Sequence, residues 1–152
     1  MLSVSSAYAQ IKISYGPYLQ NVKADEATIV WESDKNSVGW VELAPDDGTH
    51  FYGVERTKYF DTTNGVKNSS QLHAVKLEGL QPATTYRYRI YSMEVLSHEG
   101  TKVRYGDVAA TDVYNKKPLK FTTSDYSRQH ASFVMLNDIH GRSDIIPKLL
   151  RL

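Results

Sequence analysis

Asp138 and His140 are the side chains of this sequence whose types and spacing point most directly to chemistry. Two positions apart on an extended backbone, both leave on the same side, so a carboxylate oxygen and an imidazole nitrogen can converge on one cation. Asp-x-His alone arises often by chance, and its surroundings give it weight. Before it runs Ala131 to Leu136, ASFVML, almost continuously apolar, as strands buried on both faces of a parallel sheet are. After it come Gly141 and Ser143, which can cap a helix from Asp144 to about Leu152, with Asp144 at the positive helix end and Pro147 early enough to do little harm. Strand, polar loop and helix make the opening of a β-α-β unit, and ligands of such sheets collect at the carboxyl edge of the strands. Two protein donors are too few for a catalytic ion, which needs about three and an open position. A polar strand-to-helix loop that holds no metal is the plain alternative.

The elements that precede this pair speak a different language. Leu77 to Tyr91, LEGLQPATTYRYRIY, gives a short apolar step, a corner at Leu80 and Pro82, and then a strand alternating Tyr86, Tyr88 and Ile90 against Thr85, Arg87, Arg89 and Tyr91. Pro82 fixes its own φ and keeps Gln81 out of the helical region, so no helix runs through the corner. A Tyr placed like Tyr86 can bury its ring while its hydroxyl bonds back to corner backbone, as in immunoglobulin-like sandwiches. Ala27 to Glu32 puts Ala27, Ile29 and Trp31 on one face, and Trp31 is the expected central core aromatic. Ser33 to Ser37 reads as a polar turn, and Val38 to Leu43 as a further strand on which either Val38/Trp40 or Val41/Leu43 could face inward. Gly16-Pro17 suits an edge strand. Asn64-Gly65 marks a hairpin turn. His73 falls on an apolar strand face, where a hydrogen-bonded core residue is the commoner outcome than a ligand. Met93 to Lys117 suggests a hairpin extended beyond the sheet, and Pro118 to Ser124 a closing strand.

Composition narrows the partners. The chain has 152 residues, 41% of them hydrophobic, enough for one domain and part of another. Lys and Arg number 18 against 17 Asp and Glu, a formal charge of +1, so no field favours nucleic acid or an anionic bilayer. Eleven Tyr and two Trp fit strands before they fit a sugar platform. Cysteine is absent, which removes disulfides and thiolate metal sites together. No run is long enough to span a membrane. Residues 1–10 end in Ala7-Tyr8-Ala9, the small-x-small shape of a signal-peptidase site, and read as the remnant of an export signal or a disordered start. Asn68-Ser69-Ser70 spells a glycosylation sequon of low specificity.

Two resemblances follow from these motifs. The spelling L-x-G-L-x-P-x-T-x-Y, complete from Leu77 to Tyr86, resembles the fibronectin type III fold. FVMLNDIHG resembles the opening motif of the calcineurin-like metallophosphoesterases, and H-A-V-x-L-x-G-L-x-P-x-T-x-Y from His73 to Tyr86, set before such a motif, is similar to the N-terminal domain of the purple acid phosphatases and their bacterial relatives. The resemblance implies an all-β, immunoglobulin-like sandwich over residues 11–126. Residues 127–152 would then be the short β-α start of a truncated α/β metallophosphoesterase domain. It implies Asp138 and His140 as ligands of the first of two metal ions in a longer parent, with Fe, Mn and Zn not distinguishable and none bound by this chain. The implied substrate is a phosphate ester and the implied setting is outside the cytoplasm. His140 aligns the sequence with the wider calcineurin-like group, since purple acid phosphatases generally lack it. The motifs G-D-x-x-D and G-N-H-[DE], which would complete the site, are not in this sequence. The expectation is therefore an inactive accessory piece of a secreted phosphoesterase, and the alternative an extracellular sandwich used only for binding.

Overall fold

The computed structural model describes residues 9–112, 114, 116–127 and 129–130. Asp138, His140 and the expected β-α segment lie outside the described residues. Within them the chain is all β, in nine strands and no helix: β1 (Ile13–Gln20), β2 (Glu26–Pro45), β3 (Lys58–Phe60), β4 (Thr62–Thr63), β5 (Val66–Lys67), β6 (Ser70–Glu78), β7 (Thr85–Glu99), β8 (Lys102–Ala110) and β9 (Leu119–Thr122).

β2 makes the sandwich. Its first half pairs with β1 on one side and β6 on the other, and its second half pairs with β3 and β7. The ladder to β6 breaks register between Glu32 and Ser37. At that break the one strand leaves the first layer and enters the second, so a single curled sheet closes over itself. The expected turn at 33–37 is thus a kink inside a continuous strand. Ser33 and Ser37 are fully buried there, the Ser33 hydroxyl meeting the Gln71 carbonyl and the Ser37 hydroxyl the His73 ring.

The core lies between the two layers. Ala27, Ile29, Trp31, Val75 and Leu77 come from the β2–β6 side, and Val41, Tyr88, Ile90 and Phe121 from the other. Alternation carries the pattern: in β6, His73, Val75 and Leu77 are buried while Leu72, Ala74 and Lys76 are exposed. The open choice in the second half of β2 resolves to Val41 with Leu43 facing the core. Trp40 faces outward and is nevertheless buried, stacked on Tyr91 at 4.7 Å with the rings 4° apart and flanked by Phe60. A second small cluster therefore covers the outside of this layer. Glu42 sits in it, accepting from Trp40 Nε1 at 3.3 Å and from the Tyr91 hydroxyl at 2.9 Å. Burial first, then the bonds to Tyr52 and Glu42, pushes the Tyr91 phenol well above its usual range.

The corner is built as its residues require. Gln81 N donates to the Tyr86 hydroxyl at 2.9 Å, and the Tyr86 ring stacks 5.7 Å from Phe121. Leu80 is buried in the core, while Pro82 is exposed on the outside of the bend. Ala83, next after Pro82, holds a positive φ of 51°. The last edge is split: β9 pairs with the start of β7, and β8 with its far half out to Glu99 opposite Lys102. Asn64 and Gly65, both at positive φ, turn β4 into β5, the Asn-Gly hairpin chemistry.

Candidate functional site

No group of three or more His, Asp or Glu residues that could hold a metal ion occurs among the described residues. The polar chemistry of the sandwich is concentrated at the β2 kink, which sequence reasoning did not single out.

A line of hydrogen bonds runs through that kink. Ser33 Oγ donates to Lys35 O at 2.8 Å and lies 2.9 Å from Ser37 Oγ. Ser37 Oγ is 2.8 Å from His73 Nε2, and His73 Nδ1 is 3.1 Å from Asp61 Oδ2. Asp61 Oδ1 accepts from Asn68 Nδ2 at 2.8 Å. Beside this line Trp31 lies 5.0 Å from the His73 ring, centre to centre, and donates through Nε1 to Ser92 Oγ at 2.9 Å. Gly39 closes the other side. Ser33, Ser37, His73 and Trp31 have 0% exposure, and every buried side-chain nitrogen and oxygen among the described residues has a partner. Burial pushes the His73 imidazole below its usual range, and the bond and charge of Asp61 oppose that shift.

Ser37, His73 and Asp61 are bonded in the order of a nucleophilic hydrolase triad, but the arrangement cannot perform that chemistry. A nucleophile must reach a substrate carbon or phosphorus, and Ser37 Oγ meets only Ser33, His73 and the core. The constellation is structural: it ties the kink of β2 to β6 and to the base of the β4–β5 hairpin. Asp61 N also donates to Gly39 O at 3.0 Å, and Asn68 N to Asp61 O at 2.9 Å. Asn68, the sequon residue, has its amide nitrogen turned inward to Asp61.

Each singled-out residue of the sandwich has a definite place. Trp31 is at the centre of the core, Leu80, Pro82 and Tyr86 form the corner, and His73 points inward as part of the polar line. Gly39 and Asp61 were not singled out, and Ser33, Ser37 and Asn68 were read as turn and sequon residues with no place in the core. The available signal was Gly39, a glycine inside a strand pattern, which marks a close approach of another group.

Strand order and corner define a β-sandwich of the fibronectin type III kind. The sequence model of the family described as "Purple acid Phosphatase, N-terminal domain" matches residues 10–103, most of the sandwich and more than half of the chain. This chain belongs to that family. Comparison with curated proteins gives no match. Among solved structures, the chain is similar to one described as the computer-based redesign of a β-sandwich protein, at 18% identity and a TM-score of 0.43, over 76% of this chain and 96% of that one. The family implies a phosphatase parent that carries a metal pair and acts on a phosphate ester. No helix among the described residues is long and apolar enough to cross a membrane.

Proposed function

We propose that residues 11–126 are the accessory sandwich of an exported binuclear-metal phosphoesterase. Residues 127–152 begin its calcineurin-like catalytic domain. The observation that supports this is the family match over residues 10–103, followed in the same chain by Asn137-Asp138-Ile139-His140-Gly141. Asp138 and His140 would supply a carboxylate oxygen and an imidazole nitrogen to the first metal ion. A metal pair supplies a bound hydroxide for in-line attack on phosphorus and stabilises the charge that develops there.

The experiment is an assay of the 152-residue chain with p-nitrophenyl phosphate in the presence of Fe, Mn or Zn. Turnover at background is expected, because this sequence carries two of the donors such a site needs. Metal-dependent hydrolysis that survives Asp138→Asn would overturn the assignment of that residue. Hydrolysis lost in Asp138→Asn would show that two donors suffice, against the expectation of an inactive chain. A coding sequence that goes on to spell G-D-x-x-D supports the enzyme reading; one that does not favours a binding module.

A further inference from the structure

We infer that the outer face of the first layer is a docking surface, and that its occupant is residues 131–152 of the same chain. The two layers are finished differently on their outer sides. The loop after β2 folds over the second: Arg87 donates to Thr49 O at 2.6 Å, the Tyr52 hydroxyl meets that of Tyr91, and Phe51 is buried. Among the described residues nothing comparable covers the first. Its outward residues fall in rows, because residues directly opposite on paired strands share a face. Tyr15, Glu32 and Leu72 make one row, and Tyr18, Val30 and Ala74 the next. With strands about 4.8 Å apart, each row is about 10 Å wide. Tyr15 is 71% exposed, Leu72 61% and Tyr18 49%, so three large apolar side chains stand in water on one small face.

Charge frames this patch. Beyond the second row Lys76 pairs with Glu26 at 3.0 Å and Glu78 at 2.6 Å, a polar rim beside an apolar centre. Glu32 lies half-buried between Tyr15 and Leu72, and among the described residues no hydrogen bond or ion pair reaches its carboxylate. A cover for this face must therefore be apolar and bring a cation. Residues 131–152 answer both needs, with ASFVML at their start and Arg142, Lys148 and Arg151 further on.

The place where the chain leaves the sandwich selects the same face. Ser124 N donates to Lys23 O at 2.9 Å and Ser124 Oγ to Val22 O at 3.2 Å, which pins the exit just past the end of β1. Ser127 N donates to Asp125 Oδ1 at 2.8 Å, so the chain turns there. From Lys23 back to Tyr18 is at most about 17 Å of extended strand, and the stretch from Ser124 to Ala131 spans up to about 24 Å. The other exposed apolar patch, Leu96, Tyr105 and Val108, is at the far hairpin. Tyr105 stands opposite Val95, about 33 Å up β7 from Thr85, beyond the reach of Ala131. A tether this short holds the segment at an effective concentration on the order of millimolar, so a contact too weak to retain a free peptide is sufficient. Docking requires only the composition of residues 131–152 and does not depend on what activity they serve.

The test uses the 152-residue chain, which has no native cysteine. Ser143→Cys carries one nitroxide label, and nitrogen-15 NMR compares the protein with the label oxidised and reduced. The amide signals of Tyr18, Val30, Leu72 and Ala74 are expected to broaden, and those of Val95 and Tyr105 to stay sharp. Leu72→Lys, at an exposed position, is expected to abolish the broadening, because it removes an apolar contact and offers Glu32 a cation in place. Signals of the four residues that stay sharp, broadening centred on Val95 and Tyr105 or spread evenly over both layers, or broadening that survives Leu72→Lys unchanged would each overturn the proposal. So would broadening of nitrogen-15 protein by a labelled copy without the isotope, which would make a second molecule the occupant.

Discussion

Adding one methyl group at Gly39 is the sharpest perturbation of this sandwich. A Cβ built there stands 2.6 Å from both Cγ and Nδ1 of His73 and 2.7 Å from Cζ2 of Trp31, closer than real Cβ contacts come. Neither ring can yield cheaply. Trp31 and His73 are fully buried; His73 is bonded through both nitrogens and Trp31 through Nε1 to Ser92. Overpacking a closed core costs about 1–3 kcal/mol, and tilting His73 off its partners adds about 1–3 kcal/mol for buried polar atoms left unpaired. Gly39→Ala is therefore expected to lose about 2–6 kcal/mol, a large share of the roughly 5–15 kcal/mol that holds a domain folded. Urea unfolding followed by tryptophan fluorescence measures it, and with a slope of about 1.5–2 kcal/mol/M the midpoint falls by about 2 M. His73→Ser in the Gly39→Ala background opens space at the point of contact and should recover more than about 1 kcal/mol relative to additivity. A loss below about 1 kcal/mol, or strict additivity of the two changes, refutes the packing argument.

Two smaller changes test the corner. Tyr86→Phe keeps the ring against Phe121 and removes the acceptor of Gln81 N, so thermal unfolding should report a loss of about 1 kcal/mol, against about 3–5 for Tyr86→Ala; equal losses would show that the hydroxyl does nothing. Ala83 holds a φ of +51°, a region that costs an L-residue about 1 kcal/mol or more. Ala83→Gly should stabilise by about 0.5 kcal/mol once the greater freedom of the unfolded glycine is subtracted, and destabilisation would show that the backbone is not strained there.

What the sequence revealed of this fold is whatever the chain carries locally. β6 alternates cleanly, Asn64-Gly65 has the backbone preferences of its turn, and the spacing from Leu80 through Pro82 to Tyr86 encodes a corner whose bond closes over five residues. The kink of β2 was not legible, and the reason is physical. Ser-Asp-Lys-Asn-Ser is a run of turn-forming residues, and it stays extended because Ser33 and Ser37 find partners at Gln71 and His73, tens of residues away. Trp40 misleads in the same way: its ring looks like core, and it is buried on the outer face because Tyr91 and Phe60 cover it. Partners remote in sequence decide both, and propensity has no term for them.

The same distinction separates the two places where this chain looks chemical. Ser37, His73 and Asp61 have the bond order of a nucleophilic relay, yet their spacing in sequence carries no motif, and their geometry shuts out any substrate. Asp138 and His140, proposed above as metal ligands, form a pattern legible in the sequence alone, because the two residues stand two positions apart and need no distant partner to be recognised. A catalytic group has to be reachable, so its chemistry is written at the ends of elements. A structural polar group has to be satisfied, so its chemistry appears where a strand must turn inside the core. The kink of β2 meets the second requirement and fails the first, which is why the hydroxyls of Ser33 and Ser37 hold the sandwich closed and do not attack.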